Sequence, residues 1–385
     1  MPRRIYLDHN ATSPLRPEAR AAMLDALETL GNPSSVHAEG RAAKALLEGA
    51  REVVSEAVGA PRRGVVFTSG ATEAASLALS PTLRREGDGA PVDALLVGAG
   101  EHLCVLQGRR FPPGAVETLP LTREGAISIE ALEKALARRS GQRVMLALQA
   151  VNNETGVIQP VAAAAARVHA ANGVVVCDAV QSVGRLQTTF ATTDADIMFL
   201  SSHKLGGPMG VGALAFRDES LHLEAPIFRG GGQEFGRRAG TENVAGISGF
   251  AAALRAATMN LAEEAARIAG LRDALEQEVL KVAPEARFYG ASVPRAPNAS
   301  AFAIPGLAPR TMLMALDLEN VALSAGSACS SGKMMESHVL AAMGAADREA
   351  LRASFGWSST QEDVEEFGKV LARVVDRMRS RHSAA

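Results

Sequence analysis

Between residues 64 and 217, short apolar runs rich in β-branched residues keep returning: GVVFTSG, DALLVGA, AVETLPL, RVMLALQAV, GVVVCDAV, DIMFLSS and VGALAFR. Their near-continuous apolar character predicts strands of a sheet covered on both faces. Between them lie ATEAASLALS, SIEALEKALARR and VAAAAARVHAAN, whose alanine and leucine content favours helix. Strands alternating with helices predict an α/β domain with a mostly parallel sheet. Residues 259–283 then form a long amphipathic pattern, a natural boundary between domains. Beyond it, the strand-like pieces ASAFAIPG, VALSAG and ALRASFG mix with helices, and TQEDVEEFGKVLARVVDRM closes the chain, with Thr360 and Asp363 placed as a helix N-cap. The expected division is a large domain over 13–258 and a smaller α+β domain over 259–385, with residues 1–12 packing on the smaller one. There is no internal repeat and no low-complexity linker.

Composition narrows the function. A chain of 385 residues, 47% of them apolar, suits about two domains with sizeable cores. Its net charge of -2 gives no reason to expect a nucleic-acid partner or an anionic membrane. No apolar run approaches the ~20 residues that span a bilayer. The opening MPRRIYLDHNATSP lacks the apolar core of a signal peptide. Three cysteines, Cys104, Cys177 and Cys329, form no CxxC and no metal-ligand spacing. That odd count suits the reducing cytoplasm better than a disulfide framework.

Three segments carry candidate chemistry. No complete GxGxxG is present, and GSACSSGKM misses the P-loop spacing. In FTSGATEAA a strand ends at Thr68, Ser69-Gly70 turn, and Ala71-Thr72-Glu73 open a helix whose free N–H groups favour a phosphate. An ordinary capped helix is the plainer alternative. VVVCDAVQS ends a buried strand on Asp178, a carboxylate that must meet a cation or a donor there. Locally, a helix N-cap explains it as well. SSHKLGGPMGVG sets Lys204 just after a strand end, among glycines that admit a ligand to the backbone. A desolvated lysine forms an imine with a carbonyl, although most lysines are solvated surface charges. A phosphate site, a carboxylate for a ring nitrogen and an imine-forming lysine, in that order on one α/β domain, are what pyridoxal 5'-phosphate needs.

With those motifs in place the chain resembles a cysteine desulfurase of the NifS/IscS kind, within the class V aminotransferase-like pyridoxal phosphate enzymes. The resemblance runs over IYLDHNAT, GNPSSVH, VFTSGATEA, the EH of GAGEHL, VNNETG, DAVQSVG, SSHKLGGPMG, RAGTENV, SAGSACSS and RASFG. It implies a fold type I pyridoxal phosphate-dependent transferase that converts L-cysteine to L-alanine and supplies sulfur for iron–sulfur clusters or related cofactors. By the same resemblance Lys204 holds the cofactor covalently, Asp178 pairs with its ring nitrogen and Gln181 bonds its phenolic oxygen. Ala71, Thr72, Ser201 and His203 surround the phosphate, and Thr241 reaches it from the other subunit of a homodimer. His102 stacks on the ring and moves protons, Asn153 faces cofactor and substrate, and Arg352 clamps the substrate carboxylate. The choice of Asn153 over adjacent Asn152 rests on the family pattern alone.

Cys329, among small and hydroxylated residues, is implied to be the nucleophile that accepts sulfur as a persulfide and passes it to an acceptor protein, such as an iron–sulfur scaffold. Cys104 and Cys177 read as inert thiols in apolar strands. Many relatives carry a basic residue where Trp357 stands. A selenocysteine lyase or an aminotransferase on the same fold is the alternative enzyme, and a sulfur-transfer scaffold without catalysis is the alternative of another class. An aminotransferase has no need of Cys329, and a scaffold none of Lys204.

Overall fold

The computed structural model describes residues 3–87, 90–326, 336–347 and 349–383. All seven apolar runs form one sheet: β1 (Val65–Thr68), β2 (Ala94–Gly98), β3 (Val116–Leu119), β4 (Val144–Gln149), β5 (Val174–Asp178), β6 (Ile197–Ser201) and β7 (Gly212–Phe216). Their spatial order is β1-β7-β6-β5-β4-β2-β3. Only β7 runs against the others; the pairings from β3 through β2, β4 and β5 to β6 are all parallel. Both faces are covered except at the edge strand β3, where the apolar run predicts cover too but Thr118 is exposed and Val116 and Glu117 are only half-buried. Leu146 and Leu148 of β4 enter a core beneath the helices Ala38–Val58, Val161–Ala170 and Val244–Met259. Met145 and Ala147 point the other way, into a core with Ala71–Ala78.

Topology sets where chemistry is possible. Six strands running the same way bring their C-terminal ends to one edge, and ligands of open α/β sheets bind beyond that edge. Gly212 matters there: a Cβ on it would sit 2.7 Å from the backbone of Gly70. Glycine therefore lets the start of the helix Ala71–Ala78 lie against the sheet beside Ser201, the strand partner of Gly212.

A second, antiparallel sheet orders Arg287–Tyr289, Ala299–Ala303, Leu351–Ser354 and Ser324–Ala325. The helices Leu261–Val282 and Gln361–Ser383 bury Leu275, Val279, Phe367 and Leu371 against it, in a core of its own. Thr360 and Asp363 do cap the last helix, each backbone N–H donating to the other's side chain. The long helix predicted from residue 259 begins at Leu261, because Asn260 (φ -124°, ψ 45°) interrupts it from the preceding one. Ile5–Tyr6 pairs in parallel with Val321–Ala322, and Ile5 and Leu7 join this second core. From there the N-terminal segment runs on toward the edge of the large sheet, where Ser13 N–H donates to the carbonyl of His203.

Candidate active site

A cavity of about 470 Å³ opens beyond the C-terminal ends of the parallel strands. It is lined by ten of the twelve residues singled out from sequence: Ala71, Thr72, His102, Asn153, Asp178, Gln181, Ser201, His203, Lys204 and Arg352. Thr241 is exposed and does not line it. Cys329 lies outside the described residues.

Each side chain arrives by a local cause. Asp178 ends β5, wholly surrounded by protein, and its Oδ1 accepts from Val180 N–H at 2.9 Å. Burial raises its carboxyl to about 6, partly opposed by that hydrogen bond and by the charge of Lys204. Lys204 follows β6 on a short 3-10 turn, Ser202–Leu205, that ends on left-handed Gly206. Its Nζ donates to the carbonyls of Asn10 (2.7 Å) and Ala11 (2.8 Å). Buried Arg185 braces the same turn, donating to the Lys204 carbonyl at 3.0 Å and to the Gln181 side chain. Gln181 Nε2 in turn donates to the Asn10 carbonyl at 3.1 Å. Two histidines face the cavity as neutral rings. Burial, and then nearby Lys204, lower both His102 and His203 to about 4.

The helix start at Gly70 (φ 156°) carries no side-chain cap, so the N-terminal turn at Ala71 and Thr72 presents backbone donors to the cavity. Glu73 accepts from Ser69 N–H and is held by Arg238 at 3.0 Å.

Adjacent asparagines part company. Asn152 is buried and fully used within its loop, donating to the Gly100 carbonyl and accepting from Glu154 N–H and Thr155 N–H. Asn153 is the one that lines the cavity. Arg352 is also committed: Nη1 donates to the Asn153 carbonyl at 2.9 Å and Nη2 to Asp8 at 2.8 Å.

One expectation needs correction. Cys104 is not in a strand. It sits on one helical turn, Leu103–Leu106, where His102 Nδ1 accepts from Cys104 N–H at 3.1 Å, and it lines the cavity. That side-chain cap competes with strand geometry and wins. The glycine-rich stretch before Thr241 is not uniformly pliant. Glu234 is buried and grips Arg51 through both oxygens, at 2.7 and 2.9 Å, and Phe67 N–H at 2.8 Å. Trp357 stands apart from the cavity, its Nε1 donating to the Pro14 carbonyl with Arg16 over its ring.

Sequence reading missed Asp8, Asn10, Arg185 and Glu101 as parts of the site. Glu101 Oε1 accepts from Gln149 N–H, Oε2 has no partner among the described residues, and burial holds its carboxyl well above the usual range. The motifs LDHNAT and GAGEHL were the available signal, but their partners lie too far along the chain to infer.

The donor set fits pyridoxal 5'-phosphate. An uncapped helix start with Ser201 and His203 suits a phosphate, buried Asp178 suits a protonated ring nitrogen, and Lys204 suits the aldehyde. The class-V aminotransferase family model matches residues 5–367. A cysteine desulfurase of Cereibacter sphaeroides is 38% identical, over 98% of this chain and 97% of that protein. This chain belongs to the cysteine desulfurases of the class-V aminotransferase family. The IscS-like cysteine desulfurase of Mycobacterium tuberculosis is 37% identical, over 99% of this chain and 98% of that one. Among solved structures, the NifS-like protein from Rickettsia africae superposes with a TM-score of 0.85 at 30% identity, covering 97% of this chain and 100% of its own. Pyridoxal phosphate is the cofactor of this family, and the chain is a fold type I enzyme of it. Among the described residues no helix is long and apolar enough to cross a membrane.

Proposed function

We infer that this cysteine desulfurase takes the sulfur of L-cysteine onto Cys329, releases L-alanine and hands the sulfur to an acceptor protein. The observation that carries the reading is the meeting of Lys204 and Asp178 at the ends of neighbouring strands, in one cavity with His102 and the open helix start at Ala71. Pyridoxal phosphate, when bound, supplies an electron sink for the α-carbon of the amino acid.

The chain's own residues do the rest. Lys204 would provide the amine that holds the cofactor and would exchange protons at the substrate. Asp178, poised at the sheet edge, would keep the ring nitrogen charged, and Gln181 would bond the phenolic oxygen. Ala71, Thr72, Ser201 and His203 would cradle the phosphate. His102, a neutral ring near pH 7, would accept and return a proton in the same cavity. Asn153 and Arg352 orient the substrate, with the guanidinium facing its carboxylate. The Cys329 thiolate then forms an S–S bond as the substrate's C–S bond breaks; the α-amino acid keeps its electron pair, takes a proton and leaves as alanine.

Thr241, exposed and not among the residues that line its own cavity, supports a homodimer in which it completes the neighbour's phosphate site. We place the acceptor among iron–sulfur scaffold proteins, the enzyme in the cytoplasm, and the domain division between residues 258 and 259, with residues 1–12 on the smaller domain.

The test is direct. Holoenzyme incubated with L-cysteine should yield alanine and one persulfide per active site, mapped to Cys329. Borohydride should fix the cofactor on Lys204. Loaded enzyme that forms no alanine, or a label on another residue, would overturn the reading.

A further inference from the structure

Asp8 uses its two carboxylate oxygens for two different jobs. Oδ1 accepts from Nη2 of Arg352 at 2.8 Å, and Oδ2 accepts from the Ser324 hydroxyl at 2.9 Å. The contacts are well shielded, with 4% of the Arg352 side chain exposed and 16% of that of Asp8. Backbone pairing fixes the three residues relative to one another: Ser324 is the strand partner of Arg352, and Asp8 bridges to Ser354. On its far side the guanidinium donates to the Asn153 carbonyl, while its buried Nε has no acceptor among the described residues. Ser324 opens the run SAGSACSSG that carries Cys329.

We propose that Asp8 is a positioning residue which, from one carboxylate, sets both the orientation of Arg352 toward the substrate carboxylate and the starting point of the chain leading to Cys329. The proposal rests on the reading of Arg352 as the substrate's carboxylate ligand. A guanidinium on a long side chain has many rotamers, and a charge-assisted hydrogen bond in a shielded site selects among them. Asp8 on Nη2 and the Asn153 carbonyl on Nη1 together fix the guanidinium, and with it the direction from which a substrate carboxylate in the cavity meets Arg352. The second oxygen ties that direction to the strand from which the nucleophile's segment departs. Small displacements between reacting groups cost rate steeply, so a shared anchor for both has kinetic value.

The experiment compares Asp8→Asn, which keeps shape but loses charge, with Ser324→Ala, which leaves the Asp8–Arg352 pair intact. Three quantities are read on holoenzyme: cofactor absorbance, steady-state alanine release from L-cysteine, and the spectral Kd for L-alanine, which has the carboxylate but no sulfur. Both variants should keep the parent absorbance. Asp8→Asn should raise KM and the L-alanine Kd about tenfold and also lower kcat. Ser324→Ala should leave KM and the L-alanine Kd in place and lower kcat severalfold. Parent values of KM and Kd in Asp8→Asn, or a parent kcat in Ser324→Ala, would overturn the proposal whatever happens to Tm. Arg352→Gln separates the causes of such a failure. If it weakens L-alanine while Asp8→Asn does not, the anchor is wrong and the carboxylate ligand stands; if neither does, the role of Arg352 falls too. A parent enzyme that binds L-alanine yet releases none from L-cysteine would count against the desulfurase reading alone.

Discussion

Asp178 carries a measurable tension between folding and function. Its folded carboxyl sits at about 6, above the ordinary 3.8, so the proton is held more tightly in the folded chain. The stability this contributes is complete below the unfolded value and is lost as pH rises through about 6. At pH 8 the buried, ionised group therefore costs the cofactor-free fold up to roughly 3 kcal/mol. Asp178→Asn should raise the Tm of cofactor-free protein at pH 8, change it little at pH 4, and weaken cofactor retention. Thermal scans at the two pH values check this, and a lowered Tm at pH 8 would contradict it. Asp178 and Lys204 were legible in the sequence because an acid or a lysine closing an apolar strand demands a partner. Asn152 and Asn153 were not separable that way, since two identical neighbours in a turn differ only in which carbonyls and N–H groups surround them. Asp8 was beyond reach for a different reason: Arg352 lies 344 positions away.

At the level of elements, all seven strands of the large sheet could be read from the sequence, six of them because burial on both faces leaves few other solutions, whereas edge strand β3 is only partly covered. The turn at Leu103–Leu106 escaped, since four residues carry no periodicity and a single side-chain cap decides their shape. The glycine-rich segment before Thr241 is held in another way. Its fixed point is two successive non-glycine residues in left-handed conformation, Glu234 (φ 48°, ψ 39°) and Phe235 (φ 59°, ψ 31°). Such backbone costs about 1–2 kcal/mol per residue and persists only where surroundings impose it. Here the Arg51–Glu234 pair imposes it, with the guanidinium also stacked near Phe67 and Phe235. Glu234→Gln should lower stability by up to about 3–5 kcal/mol, because it leaves buried Arg51 with only the partly exposed Glu48, at 3.2 Å, as counter-charge. Replacing both partners, Arg51→Met with Glu234→Leu, should restore part of the loss. Urea unfolding distinguishes this from an additive outcome, which would deny that the two act as a pair.

The whole molecule joins two cores through its N-terminal segment. Ile5 and Leu7 belong to the second core, whereas the carbonyls of Asn10 and Ala11 hold Lys204 at the edge of the large sheet. If Thr241 completes a neighbour's site, inactive Thr241→Ala and Lys204→Ala variants mixed under subunit exchange should regain activity, through heterodimers with one intact site. No gain over the parents would refute shared sites.

The N-terminal segment also has a consequence in time. Ile5 finds its strand partner at Val321, and Asp8 its bridge at Ser354, so each waits for a partner that is synthesised long after it. At about 5–20 residues per second, roughly a quarter of a minute to a minute separates their synthesis. Until then the segment whose two carbonyls hold Lys204 lacks its anchor on the second core, and the large sheet waits with an unfinished wall. Assembly of the binding cavity is thus a late event in the life of the new chain, timed by translation rather than by the folding of any one element.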